Sequence, residues 1–207
     1  MTSEPKKSPA PAMDATRLAG LLAFLQEAER LKDTLRSGTT RQNRPESTAE
    51  HSWRLCLMVL LFERELADID MLRLLKLCVI HDLGEAISGD VPAPFQTPDD
   101  DREAVERRDF VDLCRPLPDD LKAELLGLFD EYSAAETAEA KLAKGFDKLE
   151  TILQHHLMPS ADAEFHTFNL GYGLERTNAL PLTGQIRDVV DQQTRQIINR
   201  LTQVKAD

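Results

Sequence analysis

The chain is poor in cysteine, glycine and aromatic residues, and it lacks long apolar runs. Its 207 residues include three cysteines, nine glycines and one tryptophan, with aromatics at 5%. Cys56, Cys78 and Cys114 show no paired spacing, so no disulfide framework is expected. Cys56 and Cys78 sit inside apolar helical patterns, where a thiol behaves as a small hydrophobe, and a reducing cytoplasm is the compartment this implies. The longest apolar run extends only from Leu55 to Phe62, far short of a membrane span. Residues 1–13 carry no apolar leader core and read as a disordered tail. Positive charge is also short: the net charge of -11 argues against a nucleic-acid polymer or an anionic membrane as partner. Any charge that holds an anionic ligand must therefore be local.

What is present is helical periodicity. Residues 14–33 carry Leu18, Leu21, Leu22, Leu25, Ala28 and Leu31 at helix spacing. The polar stretch 36–45 reads as loop. Ser47 and Glu50 form a capping box before the apolar run 53–66, and Asp70 can cap a helix over 71–83. Gly84, Gly89, Pro92 and Pro94 then mark an extended loop. Thr97-Pro98 followed by three aspartates predicts a helix start, with that helix running to about Cys114. Further helices are expected near 118–131 and 136–157, followed by a stretch with glycines and aromatics over 159–182. Thr183 can cap a last helix at about 184–204, striped by Ile186, Val190, Ile197, Leu201 and Val204. No segment shows strand alternation, no repeat is found, and composition does not shift along the chain. The expectation is one all-α domain over 14–207, with its chemistry-bearing motifs within 36–157.

That chemistry centres on His81-Asp82, which emerge from the apolar helix ending in Leu77-Cys78-Val79-Ile80. A carboxylate there needs a cation or hydrogen bonds to offset its desolvation. His51 lies upstream and Asp147 downstream, on separate predicted helices. Neighbouring helix positions point about 100° apart, so His81 and Asp82 can share one metal only near a helix end, between helices. Two imidazoles and two carboxylates suit one divalent ion among Mn, Co, Fe, Ni, Zn or Mg and leave room for water or a substrate oxygen. His155-His156 is a rival pair without nearby carboxylates. Arg36, Arg41 and Arg44 form the dense positive cluster next to a proposed ligand, and an arginine fork suits phosphate.

The bare His-Asp pair is a weak signal, but three segments in order are specific. Residues 44–52 around His51, 81–90 running from His81 to Asp90, and 138–150 around Asp147 together resemble the HD-domain phosphohydrolase superfamily, in its 5'-deoxynucleotidase branch. The likeness spans roughly residues 18–157. It implies an HD-type helical bundle with a metal site between helices, and His51, His81, Asp82 and Asp147 as the metal ligands. It places Glu85 on the catalytic acid, Asp90 on a second acidic position near substrate, and Arg36 on a phosphate- or substrate-contacting arginine. It implies a homodimer that hydrolyses deoxyribonucleoside 5'-monophosphates to deoxyribonucleosides and phosphate. One departure stands out: the family's tryptophan after that arginine is replaced by Ser37-Gly38-Thr39-Thr40. Two alternatives keep the metal. One is an HD phosphohydrolase of dNTPs, cyclic nucleotides or guanosine polyphosphates, and the other a non-catalytic metal- or nucleotide-binding module.

Overall fold

The computed structural model describes residues 12–92, 101–158 and 161–204. Helix α1 (Ala15–Ala28) starts at Asp14, whose carboxylate accepts from Arg17 N, and tightens into a 3-10 turn over Glu29–Lys32. Strands β1 (Leu35–Thr39) and β2 (Pro45–Ser47) follow, then α2 (Thr48–Leu61), α3 (Met71–Ile80) and the single turn α4 (Glu85–Ser88). The remaining helices are α5 (Arg102–Leu113), α6 (Asp119–Ala134), α7 (Ala138–His155), α8 (Ala163–Asn169), α9 (Leu174–Thr177) and α10 (Pro181–Val204).

Short polar side chains fix where the helices begin. Ser47 Oγ accepts from Glu50 N at 3.3 Å, while the Glu50 carboxylate accepts from Ser47 N at 2.9 Å, completing the capping box. Asp70 caps α3 through Arg73 N, and Thr137 caps α7 through Ala140 N. Thr183 does not cap α10; the helix begins two residues earlier at Pro181, and Thr183 Oγ1 donates back to Leu180 O at 3.0 Å. The helix start at Thr97-Pro98 and most of the expected tail lie outside the described residues.

The expectation of loop over 36–45 is corrected. Residues 35–39 and 45–47 pair as an antiparallel ribbon, with Leu35 opposite Ser47 and Thr39 opposite Pro45. Polar Arg36, Ser37 and Thr39 carry no apolar alternation, so the sequence gives no strand signal. The ribbon is held by tertiary bonds instead: Gln154 Nε2 donates to Thr39 O at 2.7 Å, and Thr48 N to Thr34 O at 2.8 Å. The stretch with glycines and aromatics over 159–182 contains α8 and α9. Asp162 caps α8 through Phe165 N at 2.9 Å.

Helix α7 is the centre of the bundle. Ala140, Leu142, Ala143, Phe146, Leu149 and Ile152 are buried along it, packed by α2, α3, α6, α9 and α10. Burial of Leu, Ile and Phe side chains at about 1.5–3 kcal/mol each is what binds these helices together. Helix α1 contributes less than its periodicity suggests: Leu18, Leu22 and Leu25 remain exposed, and Leu21 and Phe24 pack only partly on the core. The consequence for function is that α2, the end of α3 and the middle of α7 meet at one buried point.

Candidate active site

His51 projects from the first turn of α2, Asp147 from mid-α7, and His81 is the C-cap residue of α3. Beyond His81 the chain turns sharply. Gly84 sits where α5 presses against this turn, and a Cβ there would lie 2.5 Å from Glu106 O. That contact requires glycine and sets the direction in which Asp82 and Glu85 leave the turn.

The two imidazoles are fixed in tautomer and in aim. His81 Nδ1–H donates to Cys78 O at 2.9 Å, and His51 Nδ1–H donates to Glu150 in a very short hydrogen bond. Each ring is thereby left with Nε2 as a bare lone pair, and both Nε2 atoms are buried without a hydrogen-bond partner. One nitrogen from each ring and one Asp147 oxygen all lie within 4.8 Å of one another. Asp82 Oδ2 stands 3.0 Å from His81 Nε2 and 3.8 Å from His51 Nε2, and Asp147 Oδ1 is 3.2 Å from His51 Nε2. Two orphaned lone pairs facing two carboxylate oxygens is a donor set that a divalent cation fits, and thiolate is absent from it. The structure therefore brings His51, His81, Asp82 and Asp147 to one place.

Electrostatics agree with a cation-seeking site. Burial opposes ionisation of Asp82, yet His81 and then His51 hold it well below the usual carboxylate range. Asp147 is likewise held down against burial by Lys148 and His51. Its second oxygen, Oδ2, accepts from Lys148 Nζ at 2.8 Å and from Tyr132 Oη at 3.1 Å, which leaves Oδ1 for the imidazoles.

Glu85 is buried at the start of α4. Its Oε2 accepts from Thr48 Oγ1 at 3.2 Å and its Oε1 from Arg102 Nη2 at 3.1 Å. Burial first, then the charges of Asp82 and Asp90, push its carboxyl up to about 9. Asp90 lies on the same rim, 3.8 Å from Arg102 Nη2, and burial raises it too. Arg36 enters from β1 and donates to Asp82 Oδ2 at 3.4 Å and to Thr151 Oγ1 at 3.1 Å.

The other two arginines are placed elsewhere. Arg44 is exposed and forms a forked pair with Glu50, 2.6 Å at its shorter arm, while Arg41 is exposed at the tip of the ribbon. The rival histidines also stay out of the cluster: His155 Nδ1–H donates to Asn169 Oδ1 at 2.8 Å, and His156 bonds Thr194 Oγ1 at 2.7 Å.

Two cavities of about 270 and 370 Å³ open on the site, and Asp82, Glu85, Arg102, Asp147 and Lys148 line both. Ser37, next to Arg36, lines the smaller one, whereas Trp53 is exposed at 66%.

Several participants escape a reading by ligand type. Glu150, Tyr132, Lys148, Thr48 and Arg102 all touch a proposed site residue. Two of them carry a usable signal: Glu150 follows Asp147 by three on α7, and Thr48 precedes His51 by three on α2, so each shares a helix face with its ligand.

The HD domain family model matches residues 28–179. The 5'-deoxynucleotidase HDDC2 of Bos taurus is 34% identical over 149 residues, covering 71% of this chain and 72% of its own length. The 5'-deoxynucleotidase hdd1 of Schizosaccharomyces pombe is 34% identical over 148 residues, covering 69% of this chain and 74% of its own. Among solved structures, one described as a predicted metal-dependent phosphohydrolase, from Magnetospirillum magnetotacticum, superposes with a TM-score of 0.74 at 30% identity, covering 87% of this chain and 96% of that one. With its buried His, His, Asp cluster and this match, the chain belongs to the HD domain family.

Proposed function

We propose that the chain is a metal-dependent phosphomonoesterase that hydrolyses deoxyribonucleoside 5'-monophosphates, a 5'-deoxynucleotidase. The observation that carries this is the convergence of two buried, unpartnered imidazole nitrogens with Asp82 and Asp147 beside the buried Glu85 carboxyl. The relatives named for that activity supply the substrate class.

His51, His81, Asp82 and Asp147 would hold the divalent ion. When bound, such an ion supplies Lewis-acid stabilisation of phosphate charge and lowers the pKa of water. The protein's own groups do the rest. Arg36, with its guanidinium at the cavity wall, can pair two phosphate oxygens at once. Glu85 is the proton-transfer group: as the P–O5' bond breaks and a water oxygen bonds phosphorus, Glu85 can deliver its proton to O5', and the proton released from that water can restore it. Thr48 and Arg102 fix the Glu85 carboxyl from both sides, which limits rotation during transfer. Asp90, on the rim beside Arg102, can orient substrate hydroxyls.

The test is phosphate release from a panel of dNMPs, NMPs, dNTPs and cyclic nucleotides, with each divalent metal added in turn. Activity on dNMPs above the others is the expected result; turnover confined to triphosphates or cyclic diesters would refute the reading. The homodimer implied by the family resemblance is supported by the exposed apolar side chains Trp53, Leu57, Leu61 and Val189, and light scattering after gel filtration checks it.

A further inference from the structure

The smaller cavity is lined by two chemically different sets of side chains: Arg36, Asp82, Glu85 and Asp147, and Phe165, Phe168 and Tyr172. Lys148 lies between them, bonding Asp147 and reaching over the Tyr172 ring. The aromatic residues come from α8 and the turn after it, beyond the motifs that form the charged set. Phe165 and Phe168 are three apart on α8, and Tyr172 follows in the turn, where its N–H donates to Phe168 O at 3.1 Å. Phe165 is fixed edge-on against His155, with ring centroids 4.7 Å apart. Phe168 and Tyr172 lie side by side, centroids 5.6 Å apart and planes inclined by 30°, and Phe168 keeps 39% of its surface exposed. Its open part faces a cavity that Asp82, Glu85 and Asp147 also line.

This aromatic wall is held rigidly from behind. Arg187 of α10 is 1% exposed, a placement that full hydrogen bonding must offset. It donates to Tyr172 O at 2.6 Å and to Asn169 O and Leu170 O at 2.8 Å, and its Nε pairs with Asp191 at 2.7 Å. It thus clamps the carbonyls at the end of α8. The Asn169 side chain is tied in turn to His155. Gly173, at φ +64, follows directly; a Cβ there would lie 2.7 Å from Lys148 Cγ, so the turn is pressed against α7. A wall with this backing needs no rearrangement to receive a flat ligand.

We propose that Phe168 and Tyr172 form the stacking surface for the nucleobase of the substrate, with α8 as the element that distinguishes nucleotides from other phosphomonoesters. The proposal rests on the nucleotidase reading above. A ligand that is anionic at one end and a flat π-system at the other matches both sets of lining side chains. Because every base has a π-face, such a wall favours bases as a class with little choice among them.

The test compares dAMP with 2-deoxyribose 5-phosphate, which lacks the base, in the wild type, Phe168→Ala and Phe168→Leu. The ratio of kcat/KM values, dAMP over sugar phosphate, should fall about 5- to 150-fold in Phe168→Ala, the range that base–aromatic stacking supplies. Phe168→Leu, which keeps apolar cover without a ring, should fall with it. Calorimetric titration with 2'-deoxyadenosine gives a readout independent of turnover, and both variants should bind it correspondingly more weakly. An unchanged ratio together with unchanged deoxyadenosine affinity overturns the wall while leaving a nucleotidase. Wild-type affinity in Phe168→Leu also overturns it, since apolar packing would then suffice. If the wild type hydrolyses neither phosphate yet binds deoxyadenosine through Phe168, the nucleotidase reading falls and the wall stands.

Discussion

Glu150 accepts the Nδ1 proton of His51 at the buried junction of α2 and α7, and so decides which nitrogen of that ring faces the cluster. Glu150 is itself secured by Arg54, 3.2 Å away, which also bonds Gln154. A carboxylate behind a ligating histidine sets both ring orientation and ligand basicity. Glu150→Gln should therefore weaken divalent-metal affinity by about 10- to 100-fold, the range seen for such outer partners. Titration of the apo-protein with Mn or Co, followed calorimetrically, checks this. Equal affinity in the variant would remove Glu150 from the site. Asp82→Ala should lose metal outright, and stoichiometric metal in that variant would refute Asp82 as a ligand.

Glu85 separates binding from turnover. It is held by Thr48 and Arg102. Glu85→Gln keeps the size and one oxygen of the side chain but cannot cycle a proton. Metal content should stay at the wild-type level while kcat drops by about 10²- to 10⁴-fold, the usual contribution of a positioned acid or base. A near wild-type kcat would take Glu85 out of the reaction.

Arg36 and Arg44 come from one polar stretch but end in different settings. Arg36 is half-buried among Asp82, Glu46 and Thr151, with its guanidinium stabilised in the charged form by Asp82 against burial. Arg44 is an exposed partner of Glu50. Loss of a charge-assisted bond costs about 1.5–3 kcal/mol, so Arg36→Ala should lower kcat/KM about 10- to 150-fold. Arg44→Ala should leave kcat/KM and Tm close to wild type, because exposed ion pairs contribute little. Equal losses in the two variants would mean that the basic stretch acts as a whole, through long-range attraction.

These contrasts show which parts of the molecule the sequence discloses. Helix starts were legible where a short polar side chain bonds a nearby backbone N–H, as at Ser47 and Asp70, because that interaction is local. Apolar periodicity announced α2, α3 and α7 for the same reason. The β1–β2 ribbon was not legible: its stability comes from Gln154 and Thr34, remote in sequence or lacking strand character. Nor did periodicity reveal that the stripe on α1 stays largely exposed, since amphipathicity does not state what covers it. The meeting of His51, His81, Asp82 and Asp147 was foreseen from the likeness of three segments, and their spacing alone would not have joined them. Partners such as Tyr132 and Arg102 depend on how α6 and α5 dock, which no short window of sequence carries.

Stability against acid should depend on His155. Burial, aided by the Arg36 charge, lowers its pKa to about 4 despite the Asn169 hydrogen bond. The unfolded value is about 6.5. Between these limits the unfolded chain binds a proton that the native state resists, so this group costs nothing above pH 6.5 and removes stability as pH falls from about 6.5 towards 4, by up to about 1.4 kcal/mol per pH unit. Glu46 works in the opposite sense in much of this window: burial, with Glu150 nearby, raises it to about 7, so protonation favours its native form as pH falls. The raw acid limb is therefore a sum, and the informative quantity is a difference. His155→Gln can keep a donor for Asn169 and cannot titrate. Measured by urea unfolding at pH 7 and pH 5, the gap between wild type and His155→Gln should shift in favour of the variant at pH 5. A gap that is the same at both pH values would show that His155 titrates alike in the folded and unfolded chain.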